Sequence, residues 1–505
     1  MNANLYALFA SRFLADRNAL FLETDSGERY NYADLERETA RLATFLAGLG
    51  VARGERVAVQ VEKSPQALFL YLACLRAGLV YLPLNSAYQA GEVSYFLENA
   101  EPRVVVAQPK SLLWLAPLAG RLGIVHLFTL DDGGKGTLIE AAAAVRATFT
   151  TANNAPDDLA AILYTSGTTG RAKGAMITHG NLSSNALTLH TYWGFQPHDI
   201  LLHVLPLFHV HGLFVACHCV LLNGSSMIFH HKFDARAVVR DLPRATVFMG
   251  VPTHYVRLLG EESFNAQACR TMRLFIAGSA PLLPETFNEF RQRSGFTILE
   301  RYGMTETCML TSNPLDGERI AGTVGFPLPG VQVRVVGDDD CVLSAGEIGH
   351  VQVKGDNVLS GYWRMPEKNK EEFTPDGYFR TGDMGCFDAR GYLSIAGRSK
   401  DLVISGGYNV YPKEIELLID DMPGVGESAV IGVPHPDFGE AVTAVVVPEK
   451  GQTGLTEGTI LTALRKQLAN FKVPKQVFFL DELPRNTMGK VQKNELRKLF
   501  SNAKR

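Results

Sequence analysis

Up to about residue 400, short β-branched runs alternate with helical patterns, and this alternation confines the chain to layered α/β architecture. Residues 56–61 and 103–107 read as strands, and Pro65–Ala77 between them reads as a helix with a buried face. Residues 159–164 and 174–178 are short apolar strands flanking a Gly/Ser/Thr loop, and 272–277 and 297–299 are further buried strands. Beyond residue 400 the pattern closes on itself, with strands at 428–433, 441–447 and 476–480 and a helix over 458–469. A chain of 505 residues exceeds one ordinary core, so a large N-terminal α/β domain over 1–397 and a small α+β domain over 402–505 are predicted. The joint falls at 398–401, where a glycine followed by charged residues stays solvated while its backbone angles change.

Lys and Arg total 49 against 52 Asp and Glu, and the net charge of −3 argues against a nucleic-acid binder held by broad phosphate neutralisation. The basic C-terminal stretch (Lys490, Lys493, Arg497, Lys498, Lys504, Arg505) reads mainly as a solvated helix face. Seven scattered cysteines, none in C-x-x-C spacing, form no disulfide framework and suit a reducing cytoplasm. Cys217-His218-Cys219 lies within the apolar run 213–222 and reads as core rather than a metal site. No signal-peptide pattern opens the chain, and its longest apolar stretches carry Arg76 or His209, His211 and His218, so no membrane span is predicted.

Ser166, Gly167, Thr168, Thr169 and Gly170 leave backbone N–H groups unobstructed and add hydroxyl donors, and Lys173 follows closely. A polyphosphate needs that combination of converging donors and compensating charge. The spacing is not that of a Walker A loop, and taken alone the cluster also describes a surface loop.

The full string 163–182, LYTSGTTGRAKGAMITHGNL, resembles the signature loop of the adenylate-forming family, which includes acyl-CoA synthetases, peptide-synthetase adenylation domains and luciferases. Four further family motifs follow in order: ERYGMTET at 300–307, YFRTGD at 378–383, GRSKD at 397–401 and PRNTMGK at 484–490. The likeness runs from about Tyr30 to Leu499. It implies that a carboxylate attacks the α-phosphate of ATP, and that the thiol of coenzyme A then displaces AMP. Charge develops on a triphosphate in the first step, so magnesium and cationic side chains are expected there. The resemblance places Thr165, Ser166, Thr168 and Lys173 on the β- and γ-phosphates, with Gly167, Thr169 and Gly170 in the same loop. It puts Glu306 on magnesium, Thr305 on the α-phosphate and Tyr302 against adenine, with Glu300 and Gly303 beside them. Asp383 becomes the ribose ligand and Arg398 a second ribose or phosphate contact, and Gly278-Ser279-Ala280-Pro281 lines the adenine and acyl pockets. Lys490 is the lysine that steadies carboxylate and α-phosphate, Lys400 the hinge about which the small domain rotates, and Gly406 and Gly407 the wall of the coenzyme A tunnel. Acetylation of Lys490 by a lysine acetyltransferase would remove a required charge.

Arg301 is the informative departure, because a buried arginine costs several kcal/mol unless paired. Its partner is either Glu300 or another acid of the chain, in a structural ion pair, or a second carboxylate on the substrate, which a guanidinium fork fits. ERYGMTET together with PLFHVHGLF (206–214), VPTHYVRLL (251–259) and PRNTMGKVQK (484–493) resembles the malonyl-CoA synthetases within the family. That likeness favours the second partner, with malonate as the expected acid and His209, Ser279 and Arg257 as further carboxylate contacts. Methylmalonate, another dicarboxylate or a short monocarboxylic acid are the alternatives.

Overall fold

Valine-rich runs at Arg56–Gln60, Val80–Pro83 and Val104–Ala107 pair in parallel, with His126–Thr129 beyond them. Nearly all residues of the first three are buried, as strands covered on both faces require. The computed structural model describes residues 2–165, 172–405, 408–435, 438–452, 454–468, 470–487 and 489–501. Ser166 to Gly170, and Gly406 and Gly407, therefore lie outside the described residues. The helix Pro65–Ala77 starts where the Ser64 side chain accepts the Ala67 N–H and stops at Gly78, whose φ of +69° suits glycine. Its residues are apolar around almost the whole circumference, so it is buried all round rather than on one face. Leu159–Thr165 and Lys173–Thr178 extend this sheet as an antiparallel pair, with Thr165 opposite Lys173.

A second sheet runs Ile200–His203, Val247–Gly250, Leu274–Ala277 and Leu299–Met304 in parallel, then turns back through the antiparallel strand Cys308–Ser312. The carboxyl ends of such strands are the usual place for a ligand crevice. The expected strand at 297–299 is displaced: the observed one begins at Leu299 and carries most of the 300–307 motif. A third sheet is wholly antiparallel: Gln332–Val336, Gly349–Lys354, Phe379–Phe387 and Leu393–Arg398. Many of its residues are half-exposed, which weakens the apolar signal that marks the other sheets in the sequence.

From Arg398 a single 3₁₀ turn, Ser399–Asp401, leads into the last sheet. There Val425–His435 and Gly439–Pro448 form a long hairpin, and Gln476–Phe479 lies parallel to the second of them. Ile415, Ile419, Val442, Val446, Ile460 and Leu464 make a core separate from those of the large sheets. The helix expected over 458–469 spans Glu457–Arg465, where the helical hydrogen bonds give way at Lys466. In the apolar run, a π-helical stretch His211–Cys217 continues as the helix His218–Asn223. Cys217 and Cys219 are buried, and the His218 ring pairs with the Tyr71 hydroxyl at 2.8 Å, as core groups do. Among the described residues no helix is long and apolar enough to cross a membrane.

Candidate active site

Strand alternation divides the 300–307 motif: Glu300 and Tyr302 leave Leu299–Met304 on one side, Arg301 on the other. Arg301 is 3% exposed and makes no ion pair among the described residues, and its Nε and Nη2 lack hydrogen-bond partners. A pair with Glu300 is thereby ruled out by the pleat itself. The guanidinium packs on Gly278, where a Cβ would sit 2.5 Å from its central carbon, so a side chain at that position would displace it. Burial pulls the Arg301 pKa down to about 9, opposed by the Tyr255 phenol, and the group still carries its charge at neutral pH.

Two histidines share this side. Burial, then Arg301 and Lys490, lower His209 to about 4, and burial and Arg301 lower His211 well below its ordinary value. Both rings are neutral, and His209 Nδ1 and His211 Nε2 are sealed without partners. Ser279 follows Leu274–Ala277 in the left-handed region (φ +75°) and sets its Oγ 3.3 Å from His211 Nδ1, with Ala280 half-buried beside it. Buried polar atoms are nearly always satisfied. A fixed positive charge, two sealed ring nitrogens and a hydroxyl therefore give this side the chemistry of an anion site. Arg257 stands apart: it is exposed on Pro252–Leu259, next to His254, and lines a cavity of about 340 Å³ with Lys63, Phe208 and Thr487.

The Tyr302 side is saturated instead. The Tyr302 hydroxyl donates to the Asp383 carboxylate, tying the second sheet to the third. Asp383 lies directly opposite Arg398 across two antiparallel strands, and Arg398 Nε reaches its Oδ1 at 2.9 Å. Arg398 also donates to the Thr381 carbonyl at 3.0 Å. Burial acts to lower the Arg398 pKa, but Asp383, Tyr302, Glu306 and Asp401 together raise it, while burial and Asp383 raise the Tyr302 phenol. Glu300 accepts the Gly322 N–H at 3.2 Å, and burial pushes its carboxyl up to about 8 against that bond.

Within the strand, Gly303 packs against the Cys308 carbonyl, leaving no room for a Cβ, and just past the strand Thr305 is half-buried. Glu306 is buried, its Oε1 accepting the Tyr362 O–H at 3.1 Å. The other face of Tyr362 meets Lys173, whose Nζ stands 4.2 Å over the ring and 3.0 Å from Glu372 Oε1. The Thr165 hydroxyl donates to the Lys173 carbonyl at 3.4 Å.

Lys490 comes to this place on a tight loop, its N–H on Asn486 Oδ1 and its carbonyl accepting the Asn486 N–H, both at 2.9 Å. The loop docks on the large domain: Asn85 donates to Thr487 at 3.1 Å, and Gly489 (φ +73°) lies so close that a Cβ would meet Thr253 Oγ1 at 2.9 Å. Lys490 keeps an exposed surface along the open cleft, yet the protein around its ammonium and the Arg398 charge lower its pKa, opposed by Asp383, Asp401 and Glu306. Lys400, in the connecting turn, is lowered by burial, and neighbouring Asp401 takes Arg497 at 2.7 Å. His211, Tyr362 and Glu372 are parts of this constellation that the motifs do not single out; only His211, two residues after His209, stands in a segment that sequence reasoning notices.

With this geometry in hand, comparison with known proteins is direct. The AMP-binding enzyme family matches residues 9–363, and the AMP-binding enzyme C-terminal domain matches 414–490. The chain is a member of the AMP-binding enzyme family. ATP-bound MatB from Rhodopseudomonas palustris is 54% identical, with a TM-score of 0.97 over 99% of both chains. The apo form of MatB superposes at 0.86 over the same share. This member thus has the arrangement of the ATP-bound relative. An indoleacetate–CoA ligase from Aromatoleum aromaticum is 36% identical over 93% of each chain. The mitochondrial malonate–CoA ligase of Bos taurus is 34% identical over 97% of this chain and 89% of its own.

Proposed function

We propose that this protein is an AMP-forming malonate–CoA ligase, joining malonate to coenzyme A through a malonyl-adenylate and releasing pyrophosphate and AMP. The observation that carries the choice of acid is Arg301, charged, buried and without a partner. Isolating such a charge costs several kcal/mol, and a second carboxylate on the substrate offsets that cost with planar two-point bonding. A monocarboxylic acid leaves it unanswered. His209 and Ser279 supply neutral hydrogen-bonding groups around the same acid, while exposed Arg257, which stands apart, would act on it only as a more distant charge. Full-length likeness to malonate–CoA ligases of Bos taurus and Arabidopsis thaliana supports the reading.

In the first half-reaction a carboxylate oxygen of malonate attacks the α-phosphorus and pyrophosphate departs. Asp383 accepts the ribose hydroxyls, with Arg398 beside it and Tyr302 against the base. Thr165, the 166–170 loop and Lys173 hold the outer phosphates, and Thr305 the α-phosphate. Glu306 suits magnesium: a buried carboxylate offers hard oxygen, and one such ligand suffices when phosphates and water complete the shell. Bound magnesium would neutralise charge on the phosphates. Lys490 bridges the attacking carboxylate and the α-phosphate with a compact, mobile charge. For the second half-reaction the small domain, 402–505, turns about 398–401 with Lys400 as hinge, and Gly406 and Gly407 let the pantetheine approach the backbone. The thiol then attacks the acyl carbon and AMP leaves. Acetylating Lys490 would stop the first half-reaction alone. Seven free cysteines suit a cytoplasmic setting.

Acid-dependent ATP–pyrophosphate exchange tests the proposal, with malonate measured against acetate, succinate and methylmalonate. Malonate should be preferred. Preference for acetate, or an Arg301→Ala variant that uses malonate normally, overturns the choice of acid; exchange with no acid of the panel overturns the activity.

A further inference from the structure

Lys173 is held by two side chains that the proposed chemistry does not use. Glu372, at the C-terminal end of Pro366–Glu372, places Oε1 3.0 Å from Nζ, and Tyr362 offers its ring face at 4.2 Å. Lys173 and Glu372 are each about a fifth exposed, so the pair is shielded from solvent screening. Glu372 is itself anchored, because Lys368, four residues back on the same helix, reaches the same oxygen at 3.2 Å. An ammonium has three donors in fixed tetrahedral directions. With one committed to Glu372 and the side of the group covered by Tyr362, the remaining donors have a restricted aim. Tyr362 in turn donates to Glu306, so the cation and the buried carboxylate are positioned through one phenol.

We propose that Glu372 is a positioning residue for ATP, fixing the Lys173 ammonium so that its free donors meet the outer phosphates. The inference rests on the reading that Lys173 binds those phosphates. A long lysine without that tether must surrender its rotamer freedom on binding nucleotide.

The test is steady-state ATP–pyrophosphate exchange on Lys173→Ala, Glu372→Ala, Glu372→Gln and the double alanine variant, with thermal midpoints recorded. Glu372→Ala should raise the KM for ATP about tenfold and leave the KM for the acid unchanged. Glu372→Gln, which keeps an oxygen acceptor, should stay within about threefold of the parent. The double variant should match Lys173→Ala within about twofold, because the carboxylate acts only through the lysine. A normal KM for ATP in Lys173→Ala overturns the phosphate reading. An impaired Lys173→Ala beside a normal Glu372→Ala, or a further rise in the double variant, overturns the positioning role.

Discussion

The two sides of the strand Leu299–Met304 treat polar groups in opposite ways. On one, Tyr302, Asp383 and Arg398 saturate each other and join two sheets. On the other, Arg301 lies buried with two nitrogens unanswered, beside histidine nitrogens in the same condition. A saturated cluster is stable by itself and opens to a ligand by exchanging partners; an unsatisfied one gives up folding stability until a ligand of opposite charge arrives. The Tyr302 side therefore contributes to the fold, and the Arg301 side draws on it.

Lys490 feels both sides, its pKa set partly by Arg398 and Asp383 and its charge felt by His209, so its removal should have the largest effect. Lys490→Ala is expected to cut adenylate formation about ten-thousandfold, while thioester formation from supplied malonyl-adenylate changes less than about threefold. Equal loss in both half-reactions, followed by rapid quench, breaks the assignment. Next, Arg301→Leu should lower kcat/KM for malonate about a thousandfold, yet leave the thermal midpoint unchanged or higher, since it removes an uncompensated buried charge. A lowered midpoint would mean that Arg301 is structural and would erase the contrast. Asp383→Asn should do both kinds of harm: a KM for ATP about tenfold higher and lower stability in urea unfolding, because half-buried Arg398 and the Tyr302 hydroxyl lose their carboxylate.

The smallest expected effect concerns Glu300. Its carboxyl holds a proton up to about pH 8 in the folded chain but loses it from about 4.5 when unfolded, so stability falls as pH rises between those values. Glu300→Gln removes that dependence. Its gain should be absent at pH 4 and present in full at pH 8. A gain independent of pH would show that the carboxyl is ionised in the folded protein.

The sequence makes the proposed chemistry legible where a substrate demands fixed residue types at fixed spacing, as with Glu306, Asp383 and Lys490. Burial helps too: the helix Pro65–Ala77 is bounded by Ser64 and Gly78, and its limits are readable from those residues alone. Partnerships formed between distant segments are not readable. Nothing in 366–372 marks Glu372 as the partner of Lys173, two hundred residues earlier, nor Tyr362 as the link to Glu306. The alternative partners of Arg301 stay open in the sequence because the strand predicted there stops at 299; extending it through 304 is what sends Glu300 and Arg301 to opposite sides. The third sheet escapes notice because it lacks continuous apolar runs and its outer strands are largely half-exposed, so its apolar signal is weaker than that of the parallel sheets.

On the proposed function, neighbouring residues of one strand serve different substrates, and this has a consequence for descent. A lineage built on this frame can change its diet by altering position 301 and whatever rests on Gly278, and keep its way of spending ATP intact at 300 and 302. The same arrangement punishes a different accident. Inserting or deleting one residue upstream in that strand turns every side chain to the opposite side, so fuel and cargo sites would be lost together.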